Sequence, residues 1–111
     1  MNHLRITIVL LLVLLVTGCA TAQKGAMGRA YSAIKDGRYE SALARLSDAE
    51  KYVPPSPELQ AEIAFLRGRS YEGMNRIPEA IGSYRYLVET FPKSIYGFQA
   101  KERLKILDPA R

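Results

Sequence analysis

The sequence predicts an all-α protein, and three observations carry that prediction. From Met27 onward, apolar residues recur at steps of three, four or seven, the spacing that gathers them on one face of a helix. Clusters rich in proline, glycine or polar residues interrupt that pattern between stripes. No stretch shows the sustained two-residue alternation that a half-buried strand would need.

The elements follow in order. Ala30, Ala33 and Ile34 mark a first helix that breaks at KDGR, Lys35 to Arg38. Tyr39, Ala42, Leu43, Leu46, Ala49 and Val53 form the stripe of a second. The stretch VPPSPE, Val53 to Glu58, ends it, because proline has no amide to donate and restricts the residue before it. Leu59, Ile63, Leu66 and Ser70 begin a third helix, which stops near Gly73-Met74-Asn75. Ile77, Ala80, Ile81, Tyr84, Leu87, Val88 and Phe91 define a fourth. Pro78 is tolerated in its first turn, where the missing amide has no partner to lose, and Pro92 closes it. Ile95, Phe98, Leu104 and Leu107 make a fifth, ending before Asp108-Pro109.

These helices pair into related units. Ala42 and Ala80 fall at matching places 38 residues apart, and at the same spacing Leu46 aligns with Tyr84, Ala49 with Leu87, Pro54 with Pro92 and Ala30 with Gly68. The second unit, about Ala61 to Ser94, resembles the tetratricopeptide repeat, a 34-residue helix-turn-helix. Gly68 and Tyr71 match that family's G-x-x-Y, Ala80 its small residue in the second helix, Tyr84 its aromatic and Pro92 its closing proline. The first unit is degenerate: Ala30 replaces the glycine, Ala33 the tyrosine, and four extra residues lie around Pro54, Pro55 and Pro57. FPKSIYGFQAKERL, Phe91 to Leu104, resembles a phrase common to tetratricopeptide lipoproteins of bacterial envelope assembly machineries. The resemblance implies about two and a half repeats, five helices in a short right-handed solenoid spanning residues 27–111.

The amino terminus has a different character. Arg5 precedes an apolar run, Ile6 to Val16, interrupted only by Thr7, and Thr17 and Gly18 then lead to Cys19. A charged start, a short apolar centre and small residues are the layout of a secretory signal. The run is shorter than the roughly 20 residues a spanning helix needs. Cys19 is the one cysteine, so it has no disulfide partner, and the one histidine, His3, lies upstream in the signal. Covalent chemistry on the sulfur remains, beside the plainer alternative of an uncleaved anchor with a free thiol. Val16-Thr17-Gly18-Cys19 resembles the bacterial lipobox, which implies cleavage after residue 18 and acylation of Cys19. Several acyl chains anchor stably where one does so marginally. Ala20 replaces the aspartate of that family's retention signal, which in a diderm host implies the periplasmic side of the outer membrane. Residues 19–26 then read as a lipidated tether, small and polar around Thr21, Gln23 and Gly25, with an ordered first turn from Ala20 to Ala26 as the open alternative.

Composition narrows the chemistry. Removing residues 1–18 leaves fifteen Lys and Arg against eleven Asp and Glu, interspersed rather than clustered, a poor match to nucleic acid. No histidine remains and no cysteine but Cys19, so no metal site or Ser–His or Cys–His nucleophile is expected. No phosphate-binding glycine loop is present and no cofactor is expected. Glu40, Asp48, Glu50 and Glu62 have the spacing of solvated helix faces, not of a carboxylate pair across a cleft. An enzyme is therefore not expected.

The repeat resemblance implies a groove lined by the first helix of each pair, where peptides or partner proteins are buried. Projected onto it, the protein-binding residues are Met27, Tyr31, Phe65, Arg69, Tyr96 and Arg103, with Ile34, Glu62, Glu72 and Gln99 beside them. Aromatic residues and arginine are types that dominate binding hot spots. The expected function is a membrane-anchored adaptor for other envelope proteins in assembly or secretion. The alternative is a self-associating structural lipoprotein, since about three repeats are usually needed to close such a core.

Overall fold

The computed structural model describes residues 1–52 and 55–110; Val53, Pro54 and Arg111, and the side chain of Val16, lie outside the described set. Five α-helices account for the architecture: α1 (Asn2–Lys35), α2 (Tyr39–Tyr52), α3 (Pro57–Gly73), α4 (Ile77–Thr90) and α5 (Ile95–Leu107). Among the described residues there is no strand, so the fold is all-α, as the periodicity predicts. The predicted breaks meet the helix boundaries, with Lys35, Pro57, Glu58 and Gly73 taken into the helices beside them, and Pro57 and Pro78 both sit in first turns. The Val53 and Pro54 assignments lie outside the described residues.

The amino-terminal segment takes the ordered alternative. Residues 20–26, read as a tether, are helical and continue the signal-like run into the domain as one 34-residue helix. No proline stands between residues 2 and 35 to stop it. The segment is also held: the Gln23 side-chain amide donates to the Ala49 carbonyl at 3.0 Å, and Ala26 and Met27 are buried. Upstream, the large apolar side chains from Leu4 to Leu15 touch no core and are at least half exposed. By length and composition α1 suffices to cross a membrane, a test that signal sequences also pass.

Two clusters make the core. Ala26, Met27, Ala30, Leu46, Ala49, Ile63 and Leu66 form the first, joining α1, α2 and α3. Ala61, Ala64, Phe65, Ala80, Tyr84, Leu87 and Ala100 form the second, joining α3, α4 and α5. Helix α3 feeds both, which explains why it is apolar on more than one face.

The 38-residue spacing is a structural repeat. Both hairpins turn through one left-handed residue, Gly37 (φ 75°) and Asn75 (φ 58°), which lie 38 apart. Their closing hydrogen bonds match: Arg38 N–H to Ala33 C=O and Arg76 N–H to Tyr71 C=O, each 2.8 Å, with Gly37 to Ile34 and Asn75 to Glu72 inside them. The interior follows the same register. Ala30 and Leu46 are fully buried in one unit, and Gly68 packs against fully buried Tyr84 in the other. A Cβ on Gly68 would stand 2.7 Å from the Tyr84 Cζ, so the ring lies on bare backbone. The first unit spends that space differently, with a methyl on Ala30 and a smaller side chain at Leu46.

Helix direction follows from side-chain pairs. The short turns make successive helices antiparallel. Tyr31 with Glu62, Phe65 with Tyr96, and Glu72 with Arg103 each join positions 31 apart, so α1, α3 and α5 run parallel.

Candidate functional site

Helices α1, α3 and α5 place Tyr31, Glu62, Arg69, Glu72, Tyr96 and Arg103 along one connected surface. At its start the Tyr31 hydroxyl donates to the Glu62 carboxylate while the ring stays 44% exposed. Partial burial pushes the Tyr31 phenol above its ordinary range, and the Glu62 carboxylate adds to the effect. Tyr96 is half-buried and stacks at a tilt on Phe65, centroids 5.7 Å apart.

Further along, Glu72 organises the surface. Its carboxylate accepts from the Arg103 Nε at 3.1 Å, from a second Arg103 nitrogen, and from the Tyr84 hydroxyl at 2.6 Å. Burial alone would raise its pKa; the hydrogen bonds from Arg103 and Tyr84 and the charges of Arg103 and Arg69 outweigh this and hold it low. The same carboxylate raises the Arg103 guanidinium. Burial first, then Glu72, pushes the Tyr84 phenol up. Around this pair opens a cavity of about 610 Å³ lined by Ile34, Lys35, Tyr39, Arg69, Glu72, Gly73 and Arg103. Among the described residues, neither Lys35 nor Arg69 takes part in an ion pair. Chemically, the surface offers phenols, a locked guanidinium and two further cations, Lys35 and Arg69: a recognition surface, with polar handles on an apolar base.

The structure divides the sequence-predicted binding residues. Tyr31, Arg69, Tyr96 and Arg103 lie on this surface. Met27 and Phe65 do not: they are 8% and 9% exposed and belong to the two core clusters. Their positions turn toward α2 and α4 rather than outward, and the space is filled by Leu46 and Tyr84. Cys19 sits half-buried on α1 as a free thiol, between the exposed apolar run and the first docked side chain, Gln23. Sequence reasoning missed Lys35 and Tyr39 as groove residues. Lys35 belongs to the KDGR break and Tyr39 to the second apolar stripe, neither of which the repeat pattern projects onto the groove. The Tyr39 ring covers Gly73, where a Cβ would meet three ring carbons.

A second open cavity, about 600 Å³, lies among α2, α3 and α4. Its carboxylates are committed, Glu50 to Arg67 in a two-pronged bond of 2.7 and 2.8 Å, and Glu79 to Arg76. Among the described residues, no three His, Cys, Asp or Glu side chains converge as metal ligands. Compared with known proteins, the chain matches no family model, no curated protein and no solved structure.

Proposed function

We propose that this protein is a membrane-anchored adaptor of the tetratricopeptide type, acylated at Cys19 and held on the periplasmic side of an outer membrane. There it captures another envelope protein or peptide through the surface of α1, α3 and α5. One observation carries the reading: Tyr31, Arg69, Tyr96 and Arg103 share a face built from three parallel helices, while the apolar run that would engage a membrane stands outside the core. Aromatic and arginine side chains on a preformed surface favour binding because little conformational entropy is lost on contact.

The test is crosslinking and capture from membranes with wild type beside a Tyr31→Glu, Arg69→Glu double variant. Both residues are exposed, so folding should survive, which circular dichroism checks. A partner captured by wild type and lost by the folded variant supports the adaptor; equal capture by both sinks the groove as the site. Separately, Cys19→Ala should leave the outer-membrane fraction, and the mass of the amino-terminal peptide should reveal the acyl chains. A Cys19→Ala protein that stays in that fraction removes the lipid anchor from the reading.

Self-association is the second reading, favoured by the uncovered outer face of α5, where Ile106 is 65% exposed. Sedimentation across a hundredfold concentration range separates the two.

A further inference from the structure

A further cavity, about 400 Å³, lies between α1 and α2 alone. Arg29 and Ser32 of α1, Arg38 of the turn, and Ser41 and Arg45 of α2 line it. Arg29 stands two residues from Tyr31, about 200° around a helix of 3.6 residues per turn, so this face points away from the groove. Every lining side chain can donate a hydrogen bond, and none is a carboxylate. The groove cavity differs, because there Glu72 already occupies the Arg103 guanidinium.

Most of these donors are uncommitted. Arg38 gives one nitrogen to Asp36 at 3.2 Å and Arg45 one to Asp48 at 3.0 Å, which leaves each guanidinium most of its N–H groups. Among the described residues, Arg29 is in no ion pair, and the Ser32 and Ser41 hydroxyls are in no hydrogen bond. The Arg29 guanidinium lies back over Gly25, 3.3 Å from where a Cβ would stand. In the antiparallel register set by Gln23 with Ala49 and Ala33 with Arg38, Gly25 is level with Leu46. Arg45 is turned to the same end by its bond to Asp48, and Lys51 shares that carboxylate at 4.0 Å. Three cations therefore stand against one anion at this end. Arg38 lies about 10 Å away along α2, at 1.5 Å per residue, with the serines between.

We infer that this cavity binds a phosphate ester of a sugar or other polyol. The phosphate sits on Arg29 and Arg45, and the hydroxyl-bearing body reaches along Ser41 and Ser32 to Arg38. One guanidinium fork satisfies the two oxygens of a carboxylate, whereas two forks match the three terminal oxygens of a phosphate ester. A water takes about 30 Å³ in the liquid, so a phosphate alone would fill a small part of the space. Ser41 stands in the first turn of α2, the end of a helix that carries positive partial charge. The site is independent of the groove and of the acylation proposed above.

The test is a phosphorus-31 NMR titration of glucose 6-phosphate with full-length protein in detergent micelles. Wild type should show saturable binding that inorganic phosphate competes away and acetate at equal ionic strength does not. Arg29→Gln should weaken binding by about tenfold or more, the effect of losing one charged hydrogen-bond partner, and Arg69→Gln in the groove by less than about twofold. Arg29 is exposed, so its variant should fold, which circular dichroism checks, and Ser41→Ala supplies a second, milder loss. No saturable binding, equal competition by acetate, or a folded Arg29→Gln that binds like wild type overturns the site. The same titration in phosphatidylcholine vesicles containing phosphatidic acid identifies the source of the phosphate. Displacement of the sugar phosphate by that lipid assigns the cavity to a headgroup, and undisturbed binding assigns it to a soluble ester.

Discussion

At the scale of single residues, the two units solve one steric problem in two ways. Gly68 leaves room for the Tyr84 ring, and Ala30 faces the smaller Leu46. Gly68→Ala should therefore destabilise by about 1–3 kcal/mol through overpacking. The same substitution should cost less when Tyr84→Leu is also present, a coupling that a double-mutant cycle in urea would measure; strict additivity would show that the two positions do not share the space. Glu72 is the residue whose protonation matters most. Its pKa is lower folded than unfolded, so the stability it contributes is present above the unfolded value, about 4.3, and is lost as pH falls through the folded one. Glu72→Gln should destabilise at neutral pH by about 1–3 kcal/mol and flatten the acid limb, read as thermal midpoints between pH 7 and 3. The division of the sequence-predicted surface also appears here. Phe65→Ala should cost about 3–5 kcal/mol, as for a buried ring, whereas Tyr31→Ala should cost about 1 kcal/mol or less. Chemical denaturation separates them.

Helices and turns show which local rules hold. Ser56 and Ser94 accept from the backbone amides of Leu59 and Tyr96, capping α3 and α5, while the two hairpins close on Gly37 and Asn75. Proline and glycine punctuation was legible because it acts through the backbone of a few neighbouring residues. The extent of α1 was not. Small and polar residues from Ala20 to Ala26 suit a tether by composition, yet nothing among them breaks a helix, and Gln23 and Ala26 find partners on α2 that only the fold supplies. A helix so rich in glycine has room to improve. Gly28 is exposed with open space around its Cα, so Gly28→Ala should stabilise by about 0.5–1 kcal/mol. A lower melting midpoint in that variant would mean that a partner or a close approach uses the bare backbone there.

Across the whole molecule, an exposed apolar helix end projects from a two-cluster domain. Because the side chains from Leu4 to Leu15 touch no core, a protein lacking residues 1–18 should melt within about 4 °C of the full chain, the shift that about 1 kcal/mol gives at this size. A larger drop would make the segment part of the fold.

Sequence by itself determined the helices, their breaks and the 38-residue register, because periodicity, proline and left-handed turn residues are local constraints on a short stretch of backbone. It also set Leu46, Ala80 and Tyr84 on apolar stripes and matched Ala30 with Gly68 and Leu46 with Tyr84. Tertiary structure decided which side of each helix is inside. Met27 and Phe65 look like binding residues when a helix is viewed alone, and they become core because α2 and α4 lie against them. Only packing joined Glu72 to Arg103 and Tyr84, or Tyr31 to Glu62. Those relations depend on the distance between helices that are far apart in the chain, and no local pattern encodes it.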